Sequence, residues 1–180
     1  MSLGDSKTQA GSWQPTLSAD LVSAGYGTNS IANAGVGGQT VALAAGSIAT
    51  LLAMVPHSEI SDYAICDWGV NDVYAGVLPD EATWKANYLS IIDAIHANAP
   101  GAKVYLAFPW MQGRDTQCDT LATWISWVVA QRPGIAVAGM DERVWFKPNV
   151  ATYSTDGIHW SGTPAGVTAG AAAWQAAMGY

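Results

Sequence analysis

The chain has 180 residues, 50% of them hydrophobic and 12% charged, with 7 basic residues against 14 acidic ones and a formal net charge of -7. This excludes a disordered chain, which is charge-rich and apolar-poor, and a nucleic-acid partner, which needs clustered Lys and Arg; Lys7 is the only basic residue before Lys85. An anionic membrane surface is disfavoured on the same ground, and no apolar run reaches the ~20 residues of a membrane span.

In chain order, short apolar runs alternate with longer helical patterns. Residues 31–34 form a brief run that ends in glycine-rich sequence, and 40–54 have helical length and no proline. A strand-length run over 63–68 leads into Gly69. The span 80–99 reads as a helix, because Trp84, Tyr88, Ile91, Ile92 and Ile95 fall on one face. Pro100-Gly101 stops it. Residues 103–108 are a second clear strand, cut by Pro109. A helix follows over 120–130, with Leu121, Trp124, Ile125 and Val128 aligned, then a short strand over 135–138. A loop is expected from about 141 to 157 and a last, Ala-rich helix over 163–178.

Strands alternating with helices predict βαβ units and a mostly parallel sheet, in a single domain over residues 1–180. Ligands of such sheets bind beyond the carboxyl ends of the strands. Cys66 and Cys118 are too few for a disulfide scaffold and read as unpaired. No Cys/His spacing suits zinc, and nothing calls for a metal or an organic cofactor. No signal peptide is expected between Met1 and Ser6, so the chain reads as intracellular, or as a mature secreted or excised piece.

Several motifs are absent. There is no G-x-S-x-G nucleophile elbow, no phosphate-binding G-x-x-x-x-G-K-[ST], no complete dinucleotide fingerprint and no H-E-x-x-H. Four short patterns remain, all near predicted strand ends: Gly4-Asp5-Ser6, Asn33-Ala34-Gly35-Val36-Gly37-Gly38, Gly69-Val70-Asn71-Asp72 and Asp156-Gly157-Ile158-His159. Each alone reads as a turn. Together they place a hydroxyl, a backbone N–H, a side-chain amide and an Asp/His pair at one edge of the sheet. Those groups suit acyl transfer, in which an imidazole takes the serine proton and N–H donors hold the developing oxyanion.

That ordered set, from Gly4 to His159, resembles the SGNH hydrolases, also called GDSL esterases and lipases. The resemblance implies a three-layer α/β/α sandwich with a five-stranded parallel sheet in the flavodoxin-like order 2-1-3-4-5. It further implies Ser6 as nucleophile, His159 as general base, and Asp156 as the group that orients His159. The oxyanion hole would be the N–H of Ser6, the N–H of Gly35 and the amide of Asn71. Two features depart from the family pattern. Only residues 1–3 precede Gly4, so the first strand is short, and Lys7 stands where an apolar residue or Thr is usual. Lys7 is expected to point to solvent.

Nine tryptophans bear on the substrate. Trp13, Trp68, Trp110 and Trp160 lie close in sequence to the site positions and are expected to line the site, where aromatic faces pack on sugars or acyl groups. The expected partner is a small ester or an acylated carbohydrate. A thioesterase or lysophospholipase of the same family is an alternative, as is a non-catalytic carbohydrate-binding domain on this fold.

Overall fold

The computed structural model describes residues 1–26 and 30–180. Five parallel strands form one sheet: β1 (Ser2–Gly4), β2 (Asn33–Gly35), β3 (Tyr63–Asp67), β4 (Lys103–Phe108) and β5 (Ala136–Asp141). Their order is β2-β1-β3-β4-β5, as the resemblance implied. β1 to β2 steps one way along the sheet, and every later crossover steps the other way. Right-handed crossovers therefore divide the helices between the two faces. Helix α2 (Trp13–Ser23) packs with the last helix, α9 (Pro164–Ala177), on one face. On the other lie α3 (Val41–Ala53), α5 (Glu81–Asn98) and α6 (Asp115–Ala130), with α5 against both neighbours.

The helices start where the sequence supplies caps. Thr40 accepts from the N–H of Leu43, Asp80 from Thr83 and Thr163 from Gly166, each satisfying a first-turn donor. The aligned residues of α5, from Trp84 to Ile95, are all buried. On the opposite face Trp13 stacks on Trp174 with ring centroids 6.1 Å apart, joining α2 to α9.

Four elements depart from the sequence reading. Helix α2 was not anticipated, because Ser12, Gln14, Thr16 and Ser18 interrupt its apolar face; Gln14 is nonetheless buried, donating to Ser2 Oγ and the Thr8 carbonyl. Helix α6 begins at Asp115 rather than 120, since its polar first turns carry the buried Cys118 inward. β5 runs on through Gly139 to Asp141, past a register irregularity opposite Leu106 and Phe108. The expected loop after Asp141 contains two single-turn helices, α7 (Glu142–Trp145) and α8 (Val150–Tyr153). Both cysteines are free and buried.

Three residues make a short central strand, yet β1 is paired on both sides. Gly4 stands in register with Gly35 on one neighbour and Asp67 on the other. At that row the chain leaves the sheet for α1 (Ser6–Gln9), and it does so tightly. A Cβ on Gly4 would lie 2.3 Å from Thr8 Oγ1 and 2.6 Å from the Asp67 carbonyl oxygen, so only glycine fits.

Candidate active site

Ser6 is the first residue of α1. Its N-cap, Asp5, accepts from the N–H of Lys7 at 3.1 Å. That turn aims the Ser6 hydroxyl outward at the carboxyl edge of the sheet, where Oγ lies 2.7 Å from His159 Nε2. On the far side of the ring, His159 Nδ1 lies 2.6 Å from Asp156 Oδ2. A carboxylate can only accept, so Nδ1 carries the ring proton and Nε2 is left to accept from the serine hydroxyl. The four-residue sequence motif thus places Asp and His in one turn, 153 residues after the serine they meet.

Asp156 is richly solvated by its own loop. Its Oδ1 accepts from the N–H of Ile158 at 2.9 Å, the N–H of His159 at 2.8 Å and the hydroxyl of Ser154 at 2.9 Å. Partial burial alone would raise its pKa. The bonds from the His159 backbone and ring, Ile158 and Ser154 outweigh that and hold the carboxyl well below the usual range. It is therefore ionised at neutral pH.

Two further N–H donors follow the ends of β1 and β3. The Ser6 N–H opens α1 and has no intrahelical acceptor. Asn71 lies on α4 (Val70–Tyr74), just beyond β3, and its Nδ2 donates to the Gln39 carbonyl at 3.2 Å, which leaves its second amide hydrogen available. Asp72 secures the same turn. Its Oδ2 accepts from the N–H of Val41 at 3.1 Å and its Oδ1 from Trp84 Nε1 at 3.0 Å, and burial pushes its carboxyl up to about 6.

The sequence reading needs three corrections here. The first concerns Gly35, whose N–H is taken by Asn33 Oδ1 at 2.8 Å. Gly35 is glycine for a packing reason, since a Cβ there would lie 2.3 Å from the Gln9 backbone nitrogen. The turn that follows is nearer the serine. A Cβ at Gly37 would be 3.8 Å from Ser6 Cβ. The Gly37 N–H donates to Gln9 Oε1, whereas the Gly38 N–H has no acceptor among the described residues.

The second correction concerns tryptophan. Trp13, Trp68, Trp110 and Trp160 do not line an open site, because all four are buried at 4% exposure or less. Their N–H groups are spent inside the protein, on the Lys7 carbonyl, Gln39 Oε1, Asp115 Oδ1 and Glu142 Oε1 respectively.

The third concerns Lys7, which turns inward and is fully buried. Its Nζ donates to Glu142 Oε1 at 2.7 Å and lies 3.0 Å from Asp67 Oδ1. The second contact is a close charge pair without hydrogen-bond alignment, for Asp67 makes no side-chain hydrogen bond among the described residues. Burial alone would lower the Lys7 pKa, but the neighbouring Asp67 and Glu142 raise it and keep it charged. Asp67 and Glu142 went unread in the sequence; the available signal was a carboxylate at the end of a strand in a chain poor in charge.

A hollow of about 430 Å³, lined by Met1, Ala32, Val55, His57 and Tyr63 among others, lies at the opposite end of the strands and holds none of these groups.

The residues and fold together define a hydrolase of the doubly wound α/β class. The model of the GDSL-like Lipase/Acylhydrolase family matches residues 2–163, and the chain belongs to that family. No curated protein is significantly similar to it in sequence. Solved structures share its fold at low identity. The acetyl xylan esterase AlAXEase superposes with a TM-score of 0.77 at 19% identity, over 98% of this chain and 99% of that one. The W215I variant of Axe2, an acetyl xylan esterase from Geobacillus stearothermophilus, gives 0.74 at 16% identity, over 99% and 93%. TesA gives 0.70 at 20%, over 98% and 97%. No described helix is long and apolar enough to cross a membrane.

Proposed function

We propose that the protein is a serine esterase that hydrolyses small carboxylic esters through an acyl-enzyme. The observation that carries this reading is the continuous chain Ser6 Oγ, His159 Nε2, His159 Nδ1, Asp156 Oδ2, with links of 2.7 and 2.6 Å.

Ser6 Oγ attacks the ester carbonyl carbon while its proton passes to His159 Nε2. The imidazolium so formed is stabilised by the ionised Asp156, which also keeps the ring in the required tautomer. Charge developing on the carbonyl oxygen is met by the N–H of Ser6 and the amide of Asn71. The third donor is assigned to the N–H of Gly38 in place of Gly35. Collapse of the tetrahedral species expels the alcohol, which takes its proton from His159. Water, activated by the same imidazole, then releases the acid and restores Ser6.

The substrate reading is an acetyl or similarly short acyl ester, with carbohydrate as the alcohol. Its support is the likeness in fold to acetyl xylan esterases; the buried tryptophans lend it none. The non-catalytic alternative is the weaker reading, because a binding module has no use for an aligned Ser-His-Asp chain.

The test is turnover of p-nitrophenyl esters by the parent and by Ser6→Ala, with folding followed by circular dichroism. The parent is expected to hydrolyse the acetate, and the variant to lose at least about a thousandfold in kcat. Asn71→Ala is expected to lose about a hundredfold. Within the parent, kcat/KM should fall as the acyl chain grows beyond about four carbons, since one methylene shifts selectivity by about 1–3 kcal/mol. Equal rates for parent and Ser6→Ala would remove Ser6 from the chemistry. A rise with chain length would replace the short-acyl preference.

A further inference from the structure

Beneath Ser6 and His159 lies a buried carboxylate that the acyl-transfer mechanism does not use. Glu142 opens α7 directly after β5 and is fully buried. Three donors converge on it. Its Oε1 accepts from Lys7 Nζ and from Trp160 Nε1, both at 2.7 Å, and its Oε2 accepts from the N–H of Trp110 at 2.7 Å. Lys7 is the residue after Ser6, and Trp160 the residue after His159. One carboxylate is therefore bonded to the chain neighbour of each partner in the Ser6–His159 hydrogen bond.

We propose that Glu142 is a positioning residue that fixes the distance between the Ser6 turn and the His159 loop; this rests on the serine-esterase reading above.

The chemistry of the site demands a carboxylate. Two N–H groups and an ammonium all point inward, so the group they share must accept three times and must balance a buried cation. A glutamine in the same pose offers one acceptor oxygen and turns its amide hydrogens toward at least one of those donors. The His159 loop is internally rigid, being organised by Asp156 through bonds confined to residues 154–159. Rigidity within the loop does not place it against Ser6. Among the described residues, two hydrogen-bonded ties do so, Glu142 and an outer one in which the Ser12 hydroxyl donates to the Ser161 carbonyl at 3.0 Å; Trp13 packs on Trp160 beside them at 6.2 Å between ring centroids, and the Gln112 N–H fastens the loop to the segment after β4 through the Gly157 carbonyl. The inner tie is dry and charge-assisted, and so the stiffer of the two. An error of about 1 Å between nucleophile and base can lower a rate ~100-fold.

The experiment is a double-mutant cycle with Glu142→Gln and Trp160→Phe on the full chain, read by kcat and KM for p-nitrophenyl acetate. Active enzyme is counted by stoichiometric labelling with a fluorophosphonate, and the labelled residue is located by peptide mass. Per labelled site, Glu142→Gln is expected to lose about ten- to a hundredfold in kcat with KM within about twofold of the parent. Trp160→Phe, which keeps the Lys7 ion pair, is expected to lose about three- to tenfold. The double variant should be no slower than Glu142→Gln alone, because both changes cut one tie. A purely structural role would lower the unfolding temperature and the labelled fraction but leave kcat per site unchanged, which overturns the proposal. Losses that multiply in the double variant overturn it too. If Glu142→Gln does not fold, an unchanged kcat in Trp160→Phe overturns it and a lowered one with parental KM sustains it. A parent that takes no label at Ser6 defeats the esterase reading itself, and this proposal falls with it for that separate reason.

Discussion

The two turns that meet at the Ser6–His159 hydrogen bond are held by opposite means. In the loop carrying His159, one carboxylate organises everything within reach. Asp156 binds Ser154, Ile158 and both the backbone N–H and the ring Nδ1 of His159, all within three residues of itself. The loop is also wet, with Asp156 and His159 side chains 47% and 36% exposed. The turn carrying Ser6 is dry and is held from far away. Lys7 is fully buried, and the partner that accepts its proton bond is 135 residues distant in the chain. A local device in water can tune chemistry while adding little to the global fold, since exposed polar contacts contribute about 0–1 kcal/mol. A buried ionic device across the fold does the reverse. Its interruption strands charge in a medium that cannot solvate it.

Two variants set these against each other. Asp156→Asn has the larger effect and falls on rate. Its Oδ1 can still accept from Ser154, Ile158 and His159, but its amide nitrogen now donates toward Nδ1. The ring must then carry its proton on Nε2, where it cannot accept from Ser6. The expected loss in kcat is about 10³–10⁴-fold, with the urea midpoint shifted by less than ~1 kcal/mol in stability. Lys7→Met keeps the unbranched stem, one atom shorter, and removes the charge, leaving Asp67 and Glu142 buried without a cation. Stability is expected to drop by about 3–5 kcal/mol in urea titration. A Lys7→Met protein within ~1 kcal/mol of the parent would show that the turn is anchored without the buried ion pair, and the contrast between the two regions would fail.

The same contrast explains what could be read from the sequence. Asp156 and His159 are three residues apart, so their partnership is written locally and was legible, as were the capped helix α5 and the strand β4. The role of Lys7 was not. A lysine after a turn ordinarily faces water, and only the register of Gly4 against Asp67, with Glu142 at the end of β5, reveals its partners. The four tryptophans failed for a related reason. Nearness in sequence to Ser6, Gly69, Phe108 or His159 does not say which way a ring points, and all four point inward. Gly35 stood in the right motif, but its N–H serves its own turn while the free donor lies three residues on. The strand order came from the resemblance to a family; alternation of strands and helices predicted only that the sheet is parallel.

A last test isolates the buried cluster by its protons. Asp5 Oδ1 accepts from Lys7 N–H, while Oδ2 has no hydrogen-bond partner among the described residues. Burial pushes its carboxyl up to about 8, against ~3.9 in an unfolded chain. Between those values the folded protein holds a proton that the unfolded chain has released, so stability falls as pH rises through the window and the contribution is gone above about 8. Asp72, pushed up to about 6 by burial, acts in the same sense. The Met1 amine, brought down to about 6 by burial, acts in the opposite sense between that value and its ordinary one. Subtraction removes both. Asp5→Asn keeps the acceptor for Lys7 and presents an N–H in place of the carboxyl O–H, but does not titrate. The difference in unfolding free energy, parent minus Asp5→Asn, should decline by up to ~1.4 kcal/mol per pH unit between pH 5 and 8 and then level off. Asp156 has its pKa depressed below the usual range. Its contribution is complete above the unfolded value and lost only in strong acid, so the His159 loop is silent across this window. A difference that stays flat from about pH 5 to 9 would mean that Asp5 is ionised in the folded protein, held in that form by Lys7 against the cost of burial.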